Sequence, residues 1–189
     1  FSLRNDGSSR FSPATRWGLF PSGAFAWNVK EESFLKDVKK VSQLKLRLSA
    51  GMTGQQDGIN EYAHLARYEL STDVYKQYYM GADGFQFMWA PKAYDPNIKW
   101  ETTTTYNAGI DFGFLGDRIT GNVDAYLRNT NDLLNKVTTP MGSNFGNELL
   151  TNIGSMQNKG IEFALNVVPV ETKDWHLSVG VNGTFQDTK

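Results

Sequence analysis

Two stretches hold side chains of the kinds that make and break covalent bonds. Asn158-Lys159-Gly160-Ile161-Glu162 places a lysine close to a glutamate, and His176 lies two residues before Ser178. A catalytic lysine and glutamate would have to share a cleft that shifts their proton affinities. The phrase reads more simply as a strand re-entering from a loop. A serine nucleophile needs a base within hydrogen-bond reach and a third group to orient that base, whereas residues two apart on a strand lie roughly 7 Å apart. His176 and Ser178 are therefore expected to be polar lining, and no catalytic residue is assigned. His64 and His176 are the only histidines and cysteine is absent. A transition-metal site would have to recruit carboxylates from distant segments, so neither metal nor cofactor is expected.

Non-covalent recognition has a better candidate. Tyr75, Tyr78, Tyr79, Phe85, Phe87, Trp89 and Tyr94 cluster around Gly81 and Gly84. Such aromatics can stack on sugar rings, form hot spots against a partner protein, or pack against one another. The sequence leaves the three readings open, with Tyr78, Tyr79, Phe85, Phe87 and Trp89 as contact candidates.

The elements that carry these residues follow from composition and pattern. Lys plus Arg number 19 against 20 for Asp plus Glu, so no basic surplus exists to neutralise phosphates, and nucleic acid is not expected as a partner. Aromatics make up 13% of the residues and the mean hydropathy is −0.45. No apolar run is long enough for a transmembrane helix. A spanning β-barrel escapes that test because lipid-facing and lumen-facing residues alternate.

The alternation is present. Leu44, Leu46, Leu48, Ala50 and Met52 fall on one face of a strand, with Lys45, Arg47, Ser49 and Thr53 on the other. Ile161, Phe163, Leu165 and Val167 repeat the pattern, as do Trp175, Leu177, Val179, Val181 and Phe185. A further strand is expected from Gly18 to Val29, with Leu19, Phe25, Trp27 and Val29 apolar, and Phe1 to Arg4 end another. With the hairpin described next, the count is about seven strands, and the runs at Leu44, Ile161 and Trp175 are each about long enough to cross a bilayer at a tilt.

Gly116-Asp117 is a plausible two-residue hairpin turn, and it fixes a register between the flanking runs. Phe114 then pairs with Ile119, Phe112 with Gly121, Ile110 with Val123, Ala108 with Ala125 and Tyr106 with Leu127. The reverse face carries Asp111 with Asn122, Gly109 with Asp124, Asn107 with Tyr126 and Thr105 with Arg128. A slip of one residue would set Asp111 and Asp124 against apolar partners, so the pattern selects its own register. Asp111, Asn122, Asp124, Tyr126 and Arg128 become lumen-lining candidates. Phe112 is expected to cover the backbone beside Gly121.

Connections alternate between short (Gly116-Asp117, Val170 to Asp174) and long (Gly54 to Trp100, Thr130 to Gln157). In outer-membrane barrels short turns face the periplasm and long loops the exterior. On the short-turn side, Glu31 to Lys40 has acidic residues first and lysines last, which predicts a short helix, or else a solvated charged turn. Trp17, Trp27, Trp100, Tyr106 and Trp175 are expected near strand ends as an interfacial girdle.

Several phrases together resemble the SusC/RagA family of TonB-linked outer-membrane proteins. They are Arg4-Asn5-Asp6-Gly7-Ser8-Ser9-Arg10-Phe11, Arg16-Trp17-Gly18-Leu19-Phe20-Pro21-Ser22 and Thr53-Gly54-Gln55, followed by Lys99-Trp100-Glu101, Asp132-Leu133-Leu134, Asn152-Ile153-Gly154 and Asn158 to Glu162. The resemblance implies an all-β, antiparallel transmembrane β-barrel of 22 strands, of which residues 1–189 supply a partial barrel domain. It implies that an N-terminal plug and a TonB box lie outside this sequence. It also implies a location in the cell outer membrane and import of an oligosaccharide or oligopeptide. The partners implied are a SusD-like lipoprotein, the TonB complex and outer-membrane lipid. The chain begins at Phe1 without an initiator Met and reads as a piece of a larger one. Two rivals remain: a soluble β-sandwich that binds glycans, and a barrel enzyme using His176 or Ser178.

Overall fold

A computed structural model describes residues 1–70, 77–140 and 148–189. Seven strands build one antiparallel sheet: β1 (Ser2–Gly7), β2 (Trp17–Asn28), β3 (Val41–Gln55), β8 (Glu101–Phe114), β9 (Ile119–Asn131), β12 (Ser155–Glu171) and β13 (His176–Thr188). They lie side by side in that order, an up-and-down meander with β1 and β13 as open edges. The long connections fold into small hairpins of their own: β4 (Arg67–Leu70) with β7 (Trp89–Lys92), β5 (Gln77–Tyr79) with β6 (Phe85–Phe87), and β10 (Leu134–Thr138) with β11 (Glu148–Asn152).

The register expected around Gly116 is the observed one, from Phe114 with Ile119 to Thr105 with Arg128. The turn itself is wider than expected, because the ladder closes at Phe114–Ile119 and residues 115–118 form the turn. Leu115, Gly116 and Asp117 all have positive φ, and neighbouring connections hold them. The Leu115 amide donates to the Lys40 carbonyl at 2.9 Å, the Asp117 amide to Ser42 Oγ at 3.2 Å, and the Val168 amide to the Arg118 carbonyl at 2.7 Å.

Because side chains alternate, the paired strands stack into rows. One face carries Trp27–Leu46–Ile110–Val123–Phe163 and, beside it, Phe25–Leu48–Ala108–Ala125–Ile161–Phe185. No second sheet covers this face among the described residues: Ile110 is 43% exposed, Val179 56% and Phe185 73%. A β-sandwich would have buried these side chains, so that rival fails.

Aromatic rings shield glycines at directly paired positions. A Cβ added at Gly121 would meet the Phe112 ring at 2.7 Å, one at Gly183 the Phe163 ring at 2.7 Å, and one at Gly160 the Tyr126 hydroxyl at 2.7 Å. Each ring lies over its partner's bare backbone, the arrangement expected for Phe112. At Gly121 the added carbon would also press on the Ala164 carbonyl at 2.5 Å. Gly121→Ala is therefore expected to destabilise the wall by about 1–3 kcal/mol. A lower thermal midpoint for the full-length protein in detergent would register it, and an unchanged midpoint would contradict the close approach.

Three further expectations need correction. The helix over Glu31 to Lys40 does not form. A 3-10 turn (Val29–Glu31) leads into reverse turns with one helical i to i+4 bond, from the Lys36 amide to the Glu32 carbonyl. Lys30 Nζ donates to the carbonyls of Leu35, Lys36 and Val38 at 2.9–3.0 Å, capturing acceptors that a continuing helix would use. A ten-residue segment whose Phe34 and Val38 stay exposed gains too little burial to offset helix nucleation. Val29 does not extend the apolar face of β2, but sits in the 3-10 turn and is buried. Trp100 is only 8% exposed and belongs to a core, not to a girdle.

That core explains how the sheet ends at its long-loop side. β2 pairs with β3 only from Ser22–Gly51 to Asn28–Lys45, while Trp17 to Pro21 pair with β1 alone. Phe11, Phe20, Ile59, Ile98 and Trp100 pack together where the two strands part. The Trp100 ring lies 5.0 Å from Phe11 and 5.5 Å from Phe20, and its Nε1 donates to the Arg16 carbonyl at 3.1 Å.

Candidate functional site

The face opposite the apolar rows carries the charged residues. Arg47 on β3 sits at its centre: Nε donates to Asp111 Oδ2 at 2.9 Å and Nη2 to Asp111 Oδ1 at 2.8 Å, a two-pronged contact. The same Nη2 reaches Asp124 Oδ2 at 2.9 Å, and Asn122 Nδ2 donates to that oxygen at 2.9 Å. Gly109 is the floor, since a Cβ there would lie 2.8 Å from Arg47 Nη2 and would collide with the Asp124 carboxylate. Asp124 is paired directly with Glu162 on β12. Two acids directly opposite each other repel, and the nearby guanidinium offsets that repulsion.

Of the five residues expected on this face, Asp111, Asn122 and Asp124 meet in one network. Tyr126 lies next to them over Gly160, and Arg128 makes no hydrogen bond or ion pair among the described residues. Arg47 was visible only as a polar-face residue of its strand. Its partners depend on how β3 aligns with β8, and the long connection between those strands gives no turn from which to read a register. Charge complementarity, Lys45 and Arg47 against Asp111 and Asp124, was the one available signal.

The residues that suggested covalent chemistry are not brought together. Lys159 shares the face of Ile161 and pairs with Asp187 at 3.5 Å, whereas Glu162 lies on the opposite face. His176 and Ser178 lie on β13, exposed at the sheet edge, and make no side-chain hydrogen bond among the described residues.

At the long-loop end, a second network ties the connections together. The Lys99 amide donates to Asn152 Oδ1 at 2.8 Å, and Asn152 Nδ2 donates to the carbonyls of Lys99 at 2.9 Å and Asp132 at 2.8 Å. Lys99 Nζ pairs with Asp132 at 2.9 Å, and the Leu134 amide donates to Glu101 Oε2 at 3.0 Å. The phrases that carried the family resemblance thus meet physically. Phe11, Phe20 and Trp100 share a core, and Lys99, Asp132 and Asn152 share a clamp.

The aromatic candidates occupy the β5–β6 hairpin and the start of β7. Tyr78, Tyr79, Phe85 and Trp89 are each more than 60% exposed, and Phe87 is 42% exposed. Tyr79 and Phe85 pack ring against ring at 5.4 Å, so among the described residues self-packing accounts for that pair alone. Tyr75 lies outside the described residues.

The whole of residues 1–189 matches the family described as TonB dependent receptor-like, beta-barrel. The chain belongs to the TonB-dependent receptor β-barrel family. It is 52% identical over 183 residues to the TonB-dependent receptor SusC of Bacteroides thetaiotaomicron, covering 96% of this chain and 18% of that protein. It is 32% identical over 189 residues to the TonB-dependent receptor P39 of Formosa agariphila, covering 100% of this chain and 17% of that protein. The solved structure of the RagAB peptide transporter superposes with a TM-score of 0.83 at 28% identity, over 99% of this chain and 20% of its own. The chain therefore spans about one-fifth of the length of these relatives. As a piece of a TonB-dependent receptor barrel it resides in the outer membrane, with its apolar rows against lipid, and the relatives named are receptors, not enzymes. Seven strands leave two bare edges, and unsatisfied backbone in lipid costs several kcal/mol per group, so neighbouring strands must complete the wall.

Proposed function

We propose that this barrel sector serves an outer-membrane importer of a polar nutrient, an oligosaccharide or oligopeptide, energised through TonB and covered outside by a SusD-like lipoprotein. The observation that carries this reading is the two-sided wall, with exposed aliphatic rows on one side and the Arg47–Asp111–Asp124 network on the other. A polar inner surface lets a hydrated solute pass, while Asp111, Asn122, Asp124, Tyr126 and Arg128 set which charges pass easily. The long-loop end faces the exterior in this reading. There the β5–β6 hairpin meets the lipoprotein, since Asp83 is the sole charged residue between Gln77 and Trp89, and charge depletion with aromatic enrichment suits the centre of a protein contact.

The test uses the full-length protein in its own cell. Y78S/Y79S/F85S/W89S is expected to lower lipoprotein co-purification about tenfold or more, as loss of several aromatic anchors would, and to slow uptake of labelled oligosaccharide or oligopeptide. Undiminished co-purification would remove the hairpin from the interface. If deleting the gene leaves uptake of both cargo classes intact, import itself is wrong.

A further inference from the structure

The lipid-facing surface is not evenly covered. Two adjacent rows, Gly23–Ala50–Tyr106–Leu127 and Phe25–Leu48–Ala108–Ala125, place Gly or Ala at half of their positions. The missing side-chain volume leaves a notch of about 570 Å3, almost wholly carbon-lined, with Leu48, Tyr106 and Leu127 as walls. It is continuous with the face that already meets lipid, and it lies at a defined height. The Tyr106 row continues to the Lys159–Asp187 ion pair, and the next row toward the long loops runs from Met52, which packs against the Phe11–Trp100 core, to Thr104, Asn129 and Gln157. On β8, β9 and β12 the apolar band therefore ends at Tyr106, the level at which acyl chains join head groups. Tyr106 is 51% exposed, and its hydroxyl has no partner among the described residues.

We infer that this notch retains one acyl chain of an outer-leaflet lipid, whose ester or amide carbonyl accepts a hydrogen bond from the Tyr106 hydroxyl. The choice of leaflet rests on the orientation proposed above; the notch itself does not. A groove two rows wide admits a single flexible chain, whereas the broad sheet face of a second copy would bridge over it. A hydroxyl at the edge of hydrocarbon needs an acceptor, and a lipid carbonyl supplies one at that depth.

The experiment takes full-length protein extracted from its own membrane in mild detergent and reads bound lipid by native mass spectrometry. Wild type is expected to carry lipid, and A108L/A125L, which fills the notch, to carry it about tenfold less, the scale of losing the burial of a few methylenes. Val179→Leu, on the evenly covered face, is expected to leave the lipid adduct unchanged. A second measurement needs no variant: a photoreactive fatty acid fed to the cells should label residues 106–108 and 125–127 in preference to Val179. Equal lipid on wild type and A108L/A125L, or uniform labelling, would overturn the site. A disulfide-linked dimer formed by Ala108→Cys would overturn it in favour of a second copy. Retention of an inner-leaflet phospholipid at the notch would keep the site and reverse the proposed orientation.

Discussion

Replacing Arg47 by Met in the full-length protein is expected to lower the temperature at which the folded barrel survives in detergent, through a loss of about 2–3 kcal/mol. Among the described residues the guanidinium is the only cation bonded to Asp111 and Asp124, whose side chains are 24% and 12% exposed. Removing it leaves two half-desolvated carboxylates close together, with Glu162 paired against one of them. The loss stays below that of a fully buried pair, because the Arg47 side chain keeps 35% of its exposure and water screens it. Met keeps an unbranched apolar stem in place of the arginine methylenes, so the loss reports charge and hydrogen bonding more than packing. Arg47→Lys is expected to fall between, keeping the charge but not the two-pronged contact with Asp111. The triple variant R47M/D111N/D124N is expected to recover most of the loss, because neutral amides carry a smaller desolvation penalty than stranded carboxylates. Loss of the folded band on unboiled gels across a temperature series would measure each protein. An unchanged midpoint for R47M, or a triple variant as weak as the single, would mean that the network contributes nothing to the wall.

The parts of this fold that were legible from sequence are those governed by one strand and its nearest turn. Alternation at Leu44 to Met52 and at Ile161 to Val167 determines which residues share a face, and the Gly116-Asp117 turn aligns Ile110 with Val123. Parity could not align strands joined by long connections, so the meeting of Arg47 with Asp111 was hidden although each residue lay on the correct face. Local chemistry misled where a tertiary partner took over. Lys30 captured the carbonyls of a would-be helix, and Phe11 and Phe20 drew Trp100 into a core that an interfacial tryptophan would have avoided. The family phrases were recognisable as phrases, but nothing in their spacing told that Asn152 would bond to Lys99.

Trp100→Ala is expected to produce the second large effect, and to produce it at the long-loop end. The indole is 8% exposed, touches both Phe11 and Phe20, and donates to the Arg16 carbonyl beside the Ser8 amide. Deleting such a side chain typically costs about 3–5 kcal/mol. The β2–β3 ladder does not pass through it, because these strands have already parted at this height, and the β3–β8 ladder ends beside it at Gln55–Glu101. The penalty should therefore fall on the packing of the loops, and not on the wall below Ser22 and Gly51. Limited proteolysis of the full-length protein in detergent should cut faster within residues 54–100, while its far-ultraviolet circular dichroism keeps the strand signal of wild type. Trp100→Phe should be milder, since a ring still fills most of the space between Phe11 and Phe20 but the bond to Arg16 is lost. Unchanged cleavage in the alanine variant would show that the clamp of Lys99, Asp132 and Asn152 holds the connections without the aromatic core. Collapse of the whole strand signal would show that the wedge between β2 and β3 is needed for the wall itself to form.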